Sequence, residues 1–207
     1  MPFVSKSPSP GGSGEERAGS RDLSGLLLQL SEENPTARRW AARDLGGFPE
    51  ASSALINRLK TEMDESVREV IFTSLVEIKD HTAVAGLVEF LRSEDTALRN
   101  EAIEALKKFP DEMAAISRNL LKDANPDVRI LTINVLESLC HPDVEQWLIE
   151  VIERDTHVNV CAAAVDLLTE VGTESSRDSL ALLLGRFKNE PFLSFAVELA
   201  IKRIDEA

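Results

Sequence analysis

The repeating unit of this chain is clearest in residues 125–136, Asn-Pro-Asp-Val-Arg-Ile-Leu-Thr-Ile-Asn-Val-Leu. Asn125 suits the N-cap of a helix, because its side-chain oxygen can accept a hydrogen bond from a free N–H of the first turn. Pro126 suits the first helical position, where no N–H is needed. Apolar residues then recur at helical spacing from Val128 to Leu139 and predict one apolar face.

The same opening recurs along the chain at a nearly constant interval. We call the Asn or Asp that begins each such unit its opener. Steps of 30, 31, 30 and 30 residues separate the first five openers, and a sixth follows after 34 residues. An arginine stands four residues after each of the first four openers, and we call these arginines the arginine ladder. The openers are Asn34, Asp64, Asp95, Asn125, Asp155 and Asn189, and the ladder is Arg38, Arg68, Arg99 and Arg129.

A helical unit of this length cannot bury its apolar face alone, whereas stacked copies can. The second helices repeat independently, since the apolar pattern of residues 84–91 returns at residues 144–151. We therefore predict an all-α protein: a right-handed α-α superhelix of five helix pairs with a single helix at each end. In the repeat that begins at Asn34, Gly46 and Gly47 are expected to form a left-handed cap at the C-terminus of the first helix.

The fifth repeat, from Asp155 to about Lys188, departs from this pattern, and we call it repeat five. Asn159 stands where the arginine is expected, and the first helix of the repeat is unusually small and apolar at residues 160–165. This composition predicts either a tighter packing interface or a bend.

The first residues differ in composition from the rest. Residues 1–20 are rich in Ser, Pro and Gly, which cannot bury enough apolar surface to offset their ordering entropy. We predict a disordered N-terminal tail over residues 1–20 and the repeat solenoid over residues 21–207. The tail is either a plain solubilising segment or a short docking peptide, in which Phe3 and Val4 are the apolar anchors.

Charge and cysteine content exclude several classes of protein. The net charge of −13 argues against a protein that binds nucleic acid or an anionic membrane. No apolar run reaches the roughly 18 residues of a spanning helix, and the N-terminus lacks signal-peptide order. Cys140 and Cys161 lie in apolar-periodic stretches without CxxC spacing, so buried reduced thiols and a cytoplasmic protein are predicted.

No arrangement of residues predicts catalysis or a cofactor. His81, His141 and His157 stand near turns, where a histidine without a second ligand is usually solvated. No Ser-His-Asp spacing or glycine-rich phosphate loop is present. One arginine per repeat fits architecture better than phosphate binding, so we expect each ladder arginine to reach the opener of the preceding repeat or a helix C-terminus. We predict no catalytic residues, no metal and no cofactor.

The repeats share a motif in which an Asp or Asn is followed, after two further residues, by Val-Arg or Leu-Arg. A leucine stands at the seventh position after the arginine and, in some repeats, a small residue stands near the third. This motif resembles the short HEAT-like repeats of bacterial proteins, of the kind found in bilin lyases. The likeness is carried by Asp64–Leu75, Asp95–Leu106 and Asn125–Leu136, and it covers Leu23 to Ile204. It implies the solenoid fold, but the family includes scaffolds, bilin lyases, a metal hydroxylase and glycosylases. The hydroxylases use His-Glu pairs as iron ligands, and no histidine here is followed by Glu. The whole chain is also similar to HEAT-repeat proteins that accompany bacterial chemosensory systems.

The pattern favours a non-enzymatic protein-binding scaffold or adaptor, because a stacked array offers a long rigid surface at little ordering cost. The alternative, a bilin lyase-like enzyme or chaperone, would need a basic cleft for the chromophore's propionates. Candidate contacts are the outward positions of the second helices, one part-exposed tryptophan and two C-terminal phenylalanines. They are Trp40, Arg58, Glu62, Glu89, Arg92, Arg118, Lys122, Glu150, Glu153, Phe192 and Phe195.

The C-terminal helix, from about Pro191 to Ile204, carries two apolar stripes. One contains Phe192, Phe195 and Leu199, and the other begins at Leu193. Packing on repeat five needs one stripe, so the other is expected to bind a second copy or a partner, or to sit deep in repeat five as a cap.

Overall fold

The computed structural model describes residues 19–206 of the chain. Within these residues there are twelve α-helices and no β-strand, in the predicted order of a single helix, five pairs and a single helix. A short 3₁₀ turn, Pro49–Ala51, precedes the third helix. The helices are α1 Leu23–Gln29, α2 Pro35–Leu45, α3 Ser52–Leu59, α4 Glu65–Ile78, α5 His81–Phe90, α6 Thr96–Leu106, α7 Pro110–Leu120, α8 Pro126–Leu136, α9 Val144–Arg154, α10 Val158–Val171, α11 Glu174–Arg186 and α12 Pro191–Asp205. The all-α prediction is confirmed, while the predicted tail lies almost entirely outside the described residues.

Four of the six predicted openers cap their helices with a side-chain oxygen. Asn34, Asp64, Asp95 and Asn125 each accept a hydrogen bond from a backbone N–H of the first turn. The predictions for the last two openers are wrong. Neither α10 nor α12 has a side-chain cap, and their N-cap residues are His157 and Glu190.

The helices form two compact units, one ending at Ala83 and the other beginning at Val84. In the first unit α2 packs against α1 and α4, and α3 packs against α4. In the second unit α6, α8, α10 and α12 form one layer in which each helix contacts the next. Helices α9 and α11 pack against each other, α9 packs against α10, and α11 packs against α12. Each first helix thus buries its apolar face between its neighbours.

Helix α10 is the most closely packed element of the second unit. It contacts α8, α9 and α12, and Val160, Cys161, Ala164 and Val165 are fully buried. Small side chains allow this approach, and larger ones would force the neighbouring helices apart. Of the two interpretations of this sequence, the structure supports the tighter packing interface.

The two cysteines differ in environment, although periodicity predicted that both are buried. Cys161 is buried in α10, and burial raises the pKa of its thiol to about 11. Cys140 is exposed, because α8 ends at Leu136 and the prediction extended its apolar pattern too far. Both are free thiols.

The left-handed cap predicted at Gly46 is wrong. Gly46 has a φ of −57°, in the right-handed region, and Gly47 is also not among the residues with positive φ. The left-handed cap belongs instead to Lys79, with a φ of 52°. A β-carbon at position 46 would fit tightly, 3.2 Å from the carbonyl oxygen of Arg43 and 3.3 Å from Cβ of Ser74, and the exposed carboxylate of Glu77 would have to move aside.

In the first unit, Arg38 of the arginine ladder joins three segments. It donates to both carboxylate oxygens of Glu62, with Nε–Oε2 at 2.7 Å and Nη2–Oε1 at 2.8 Å. It also donates to the carbonyls of Glu32 and Glu33, at 3.0 and 2.7 Å. Glu62 is only 3% exposed, so its prediction as an outward contact residue is wrong. The sequence pattern placed it on an outer face because it could not show the arginine that covers it.

The hydrogen bonds that Glu62 accepts make its carboxyl strongly acidic. Burial by itself would raise the pKa of Glu62, but hydrogen bonds from Arg38, the Asp64 N–H and Arg58 outweigh it and lower the pKa to about 2. Arg58 donates to the same carboxylate at 2.8 Å. Arg58 is therefore engaged within the fold and offers less free surface than its position in the sequence suggested.

In the second unit, Arg129 makes the equivalent set of bonds. It donates to both oxygens of Asp155, with Nε–Oδ2 at 2.6 Å and Nη2–Oδ1 at 3.0 Å, and to the carbonyl of Asp123 at 2.7 Å. Of the two expected partners, the opener of the preceding repeat is wrong, since Asp155 belongs to the following repeat. The helix C-terminus is confirmed, since the carbonyl of Asp123 lies just after the end of α7. The antiparallel second helix returns the chain to the same end, which places the loop after α9 beside the first turn of α8.

The other two arginines of the ladder are Arg68 and Arg99. Arg68 is buried in α4, as Arg38 is in α2. Arg99 donates to the carbonyl of Ser93 at 2.5 Å and to Oγ1 of Thr96 at 3.1 Å, and within residues 19–206 it pairs with no carboxylate. The ladder is thus architectural but unequal in its bonds.

This inequality predicts different losses of stability. Arg129→Ala leaves the largely buried Asp155 without its charge partner, so we expect the free energy of unfolding to fall by about 3 kcal/mol. Arg99→Ala removes bonds to neutral groups only, and we expect a loss of about 1 kcal/mol. Urea denaturation of both variants measures the difference. An equal or larger loss for Arg99→Ala would contradict this account.

Glu62 predicts a pH dependence of stability. Its pKa is about 2 when folded and 4.5 ordinarily, so its contribution is present above pH 4.5 and lost as pH falls through about 2. Over this window the contribution is on the order of 3 kcal/mol. Unfolding free energies of Glu62→Gln should therefore fall less between pH 5 and 2 than those of the parent. Glu65→Gln, at an exposed position of α4, is the control and should keep the parent's slope.

Candidate functional site

A groove opens between the C-terminal parts of α7 and α9 in the second unit. It has a volume of about 270 Å³. We call it the α7–α9 groove, and its walls come from α7, the loop after α7, the first turn of α8, α9 and the loop after α9. It is lined by Arg118, Leu121, Lys122, Asp123, Arg129, Trp147, Glu150, Val151, Arg154, Asp155 and Thr156.

The floor of the groove is apolar and firmly held. Leu121, Trp147 and Val151 contribute to it and are almost fully buried. The indole of Trp147 is stacked on the ring of His141, with ring centroids 5.1 Å apart and an angle of 17° between the planes. Trp147 is 6% exposed, so it belongs to the core of the second unit and also lines the groove.

The carboxylates of the groove are all paired with arginines. Arg118 of α7 bonds Glu150 of α9, with Nε–Oε2 at 3.3 Å and a shorter Nη2–Oε1 contact. Arg129 holds Asp155, as described above, and Arg92 bonds Asp123. These pairs fix the side chains of the rim and neutralise its acidic groups.

Two cations of the groove lack such partners. Lys122 and Arg154 are exposed, and across the described part of the chain neither forms an ion pair. Both act on Glu150: the hydrogen bond from Arg118 holds the pKa of Glu150 below its ordinary value, burial opposes this, and the charges of Lys122 and Arg154 lower it further. The groove therefore presents positive charge in a chain that is acidic overall.

The structure brings together only some of the predicted contact residues. Arg118, Lys122 and Glu150 meet in the α7–α9 groove. Glu153 lies outside it and accepts a hydrogen bond from Ser179 at 2.7 Å. Glu89 is exposed on α5 and does not line the groove.

Two other candidates lie outside the groove. Arg92 reaches the groove only through its bond to Asp123. Trp40, in the first unit, is partly exposed, with the guanidinium groups of Arg39 and Arg43 over its ring at 5.9 and 5.6 Å from the centroid.

Sequence reasoning missed Arg129, Arg154 and Trp147 as groove residues. A signal was available for α9, because Trp147, Glu150, Val151 and Arg154 follow one another at helical spacing and lie on one face. No such signal existed for Arg129, because its helix and α9 come together only through the fold.

The two stripes predicted for α12 are present. Leu193 and Val197 are buried, whereas Phe192 is 70% and Phe195 66% exposed, with Leu199 also exposed. We call Phe192, Phe195 and Leu199 the exposed stripe of α12. The alternative of a cap helix seated deep in repeat five is thus wrong for this stripe, which no described residue covers.

The described residues also bear on membranes and metals. No helix among residues 19–206 combines the length and the apolar character needed to span a bilayer. In the same residues no three side chains of His, Cys, Asp and Glu are grouped in a way that could hold a metal ion.

Several solved structures are similar to this chain. Drosophila melanogaster Mini spindles TOG3 has 17% identity and a TM-score of 0.54, over 86% of this chain and 92% of that chain. A designed armadillo repeat protein in complex with the peptide (KR)4 has 16% identity and a TM-score of 0.44, over 86% and 98%. The complex of CpcE and CpcF of phycocyanin lyase from Nostoc sp. PCC7120 has 15% identity and a TM-score of 0.38, over 98% and 100%. At these identities the likeness concerns the fold alone.

Comparison with curated proteins finds no match. The family comparison is decisive for the fold, because HEAT repeats match residues 23–107 and 113–201, well over half of the chain. The period, the helix pairs and this match agree, and the predicted α-solenoid class is confirmed. This chain belongs to the HEAT-repeat family.

Proposed function

We propose that this chain is a non-enzymatic protein-binding scaffold or adaptor, and that the α7–α9 groove is its main contact site. The observation that carries the proposal is an open groove with a buried aromatic floor and two cations that pair with no carboxylate of residues 19–206. Tryptophan and arginine are the residues that most often dominate binding between proteins.

The charges of the chain favour a protein partner over a nucleic acid. Lys122 and Arg154 lie among the three carboxylates of the groove rather than in a continuous basic surface. Phosphate backbones require clustered positive charge, and the net charge of the chain is −13. A protein segment, by contrast, can match a few charges and an apolar contact at one site.

The finer placement of the scaffold rests on the resemblance seen in the sequence. We place it in bacterial signalling of the chemosensory kind and in the cytoplasm. The alternative of a bilin lyase-like enzyme or chaperone is separated by the absorption spectrum of the purified protein, because a bound bilin absorbs visible light.

Capture of partners from the native host tests the proposal. Lys122→Gln/Arg154→Gln removes the two unpaired cations, so we expect it to retain several-fold less partner than the parent, as measured by quantitative mass spectrometry. Lys60→Gln/Lys108→Gln, at two exposed lysines outside the groove, is the matched control and should retain the parent's amount. A parent protein that retains no host protein, or equal retention by both double variants, would contradict the proposal.

Self-association through the exposed stripe of α12 stays a prediction of its own. Phe192→Ser and Phe195→Ser, made singly, should reduce the mass in solution towards that of one chain without lowering the melting temperature, because both rings are mostly exposed. Leu182→Ser, at a leucine of α11 that is 72% exposed, is the control. Sedimentation equilibrium measures the mass. A parent that is already monomeric, or variants that keep an oligomeric mass, would show that the stripe does not mediate self-association.

A further inference from the structure

The geometry of the α7–α9 groove points to the chemistry of its partner. We infer that it receives a short acidic segment of a partner protein, with one carboxylate between Lys122 and Arg154 and an apolar side chain on Trp147. This inference rests on the proposed function and adds to it the chemical class of the bound segment.

The charge that the groove offers depends on which ionic groups already have partners. Asp123, Glu150 and Asp155 are each bonded to an arginine. Lys122 and Arg154 form no ion pair within the described 19–206 segment, and both are near enough to Glu150 to lower the pKa of its carboxyl. An incoming carboxylate therefore gains two cationic partners without breaking an existing pair.

A basic segment meets the opposite situation. The carboxylates that it needs are already hydrogen-bonded to guanidinium groups, and the pair of Arg129 with Asp155 is bidentate and largely buried. Removing Asp155 from Arg129 would leave a buried charge without a partner, which is strongly unfavourable. The groove thus discriminates against basic segments, although the chain as a whole is acidic.

The acidic side chains of the lining favour a carboxylate over a more highly charged group. The lining holds four cationic and three acidic side chains, and Arg92 pairs with Asp123 from outside it, so the charges of Lys122 and Arg154 are left unmatched. A phosphate group with a charge near −2 would lie beside all three carboxylates and be repelled by them. A carboxylate carries half of that charge and is repelled less.

The shape of the groove adds the apolar contact. Its volume of about 270 Å³ is suited to one or two side chains of an extended segment. Trp147 lines this space and its ring is stacked on that of His141, so little side-chain freedom is lost on binding. At physiological salt the net charge of the whole chain is screened beyond about 8 Å, and the nearby cations therefore dominate.

A peptide titration tests the inference. The probe is a short fluorescein-labelled peptide in which glutamates flank a central leucine, with analogues that carry Gln or Lys in place of Glu. In a Trp40→Phe background Trp147 is the only tryptophan, so a change in its emission reports binding in the groove. We expect the acidic peptide to bind at least about tenfold more tightly than either analogue and to change this emission.

Charge variants complete the test. Lys122→Gln/Arg154→Gln should weaken binding of the acidic peptide about tenfold, while Lys60→Gln/Lys108→Gln should leave it unchanged. Melting temperatures confirm that both variants are folded. Tighter binding of the Lys analogue, or equal affinity of the acidic peptide for the parent and the Lys122→Gln/Arg154→Gln variant, would overturn the inference. Either outcome would leave the proposed function intact as long as capture of a host protein depends on the groove.

Discussion

The second unit depends on the hydrogen bonds that the guanidinium group of Arg129 donates. One rigid group with several N–H donors bonds the carbonyl that ends the preceding repeat and the carboxylate that opens the following one. It therefore fixes the position of three consecutive segments at once. Arg38 does the same in the first unit, with Glu62 in place of the opener. In these two repeats, ion pairs as well as apolar faces hold successive segments together.

The same interaction determines the chemistry of the groove. Because Arg129 is bonded to Asp155, and Arg118 to Glu150, neither acid is available to a ligand. The positive charge that remains comes from Lys122, in the loop after α7, and from Arg154, at the end of α9. Bonds that stabilise the fold thus select the sign of the charge that a partner meets. A scaffold can in this way be acidic overall and still offer a cationic site.

The sequence determined the elements and their order. Apolar residues at helical spacing and an opener about every 30 residues predicted five helix pairs between single helices, because both patterns arise from contacts within one helix or between adjacent repeats. Four of the predicted N-caps are present, since an Asn or Asp cap depends on only three or four neighbouring residues. The two stripes of α12 could likewise be derived from spacing alone. The order of the residues is enough to determine such local features.

The tertiary structure decided which side chains meet across repeats. Sequence placed Glu62 on an outer face, but the fold brings Arg38 and Arg58 onto it and buries it. From the sequence, an acid beside Arg129 was expected from the preceding repeat, because the order of the residues does not show that the second helix returns Asp155 to the first turn of α8. Three groove residues, Arg118, Lys122 and Glu150, were predicted as contacts from the sequence. The others could not be assigned to the groove, because they come from helices and loops that only the fold brings together. Distances between segments 24 or more residues apart depend on how helices pack, and packing is a property of the folded chain as a whole.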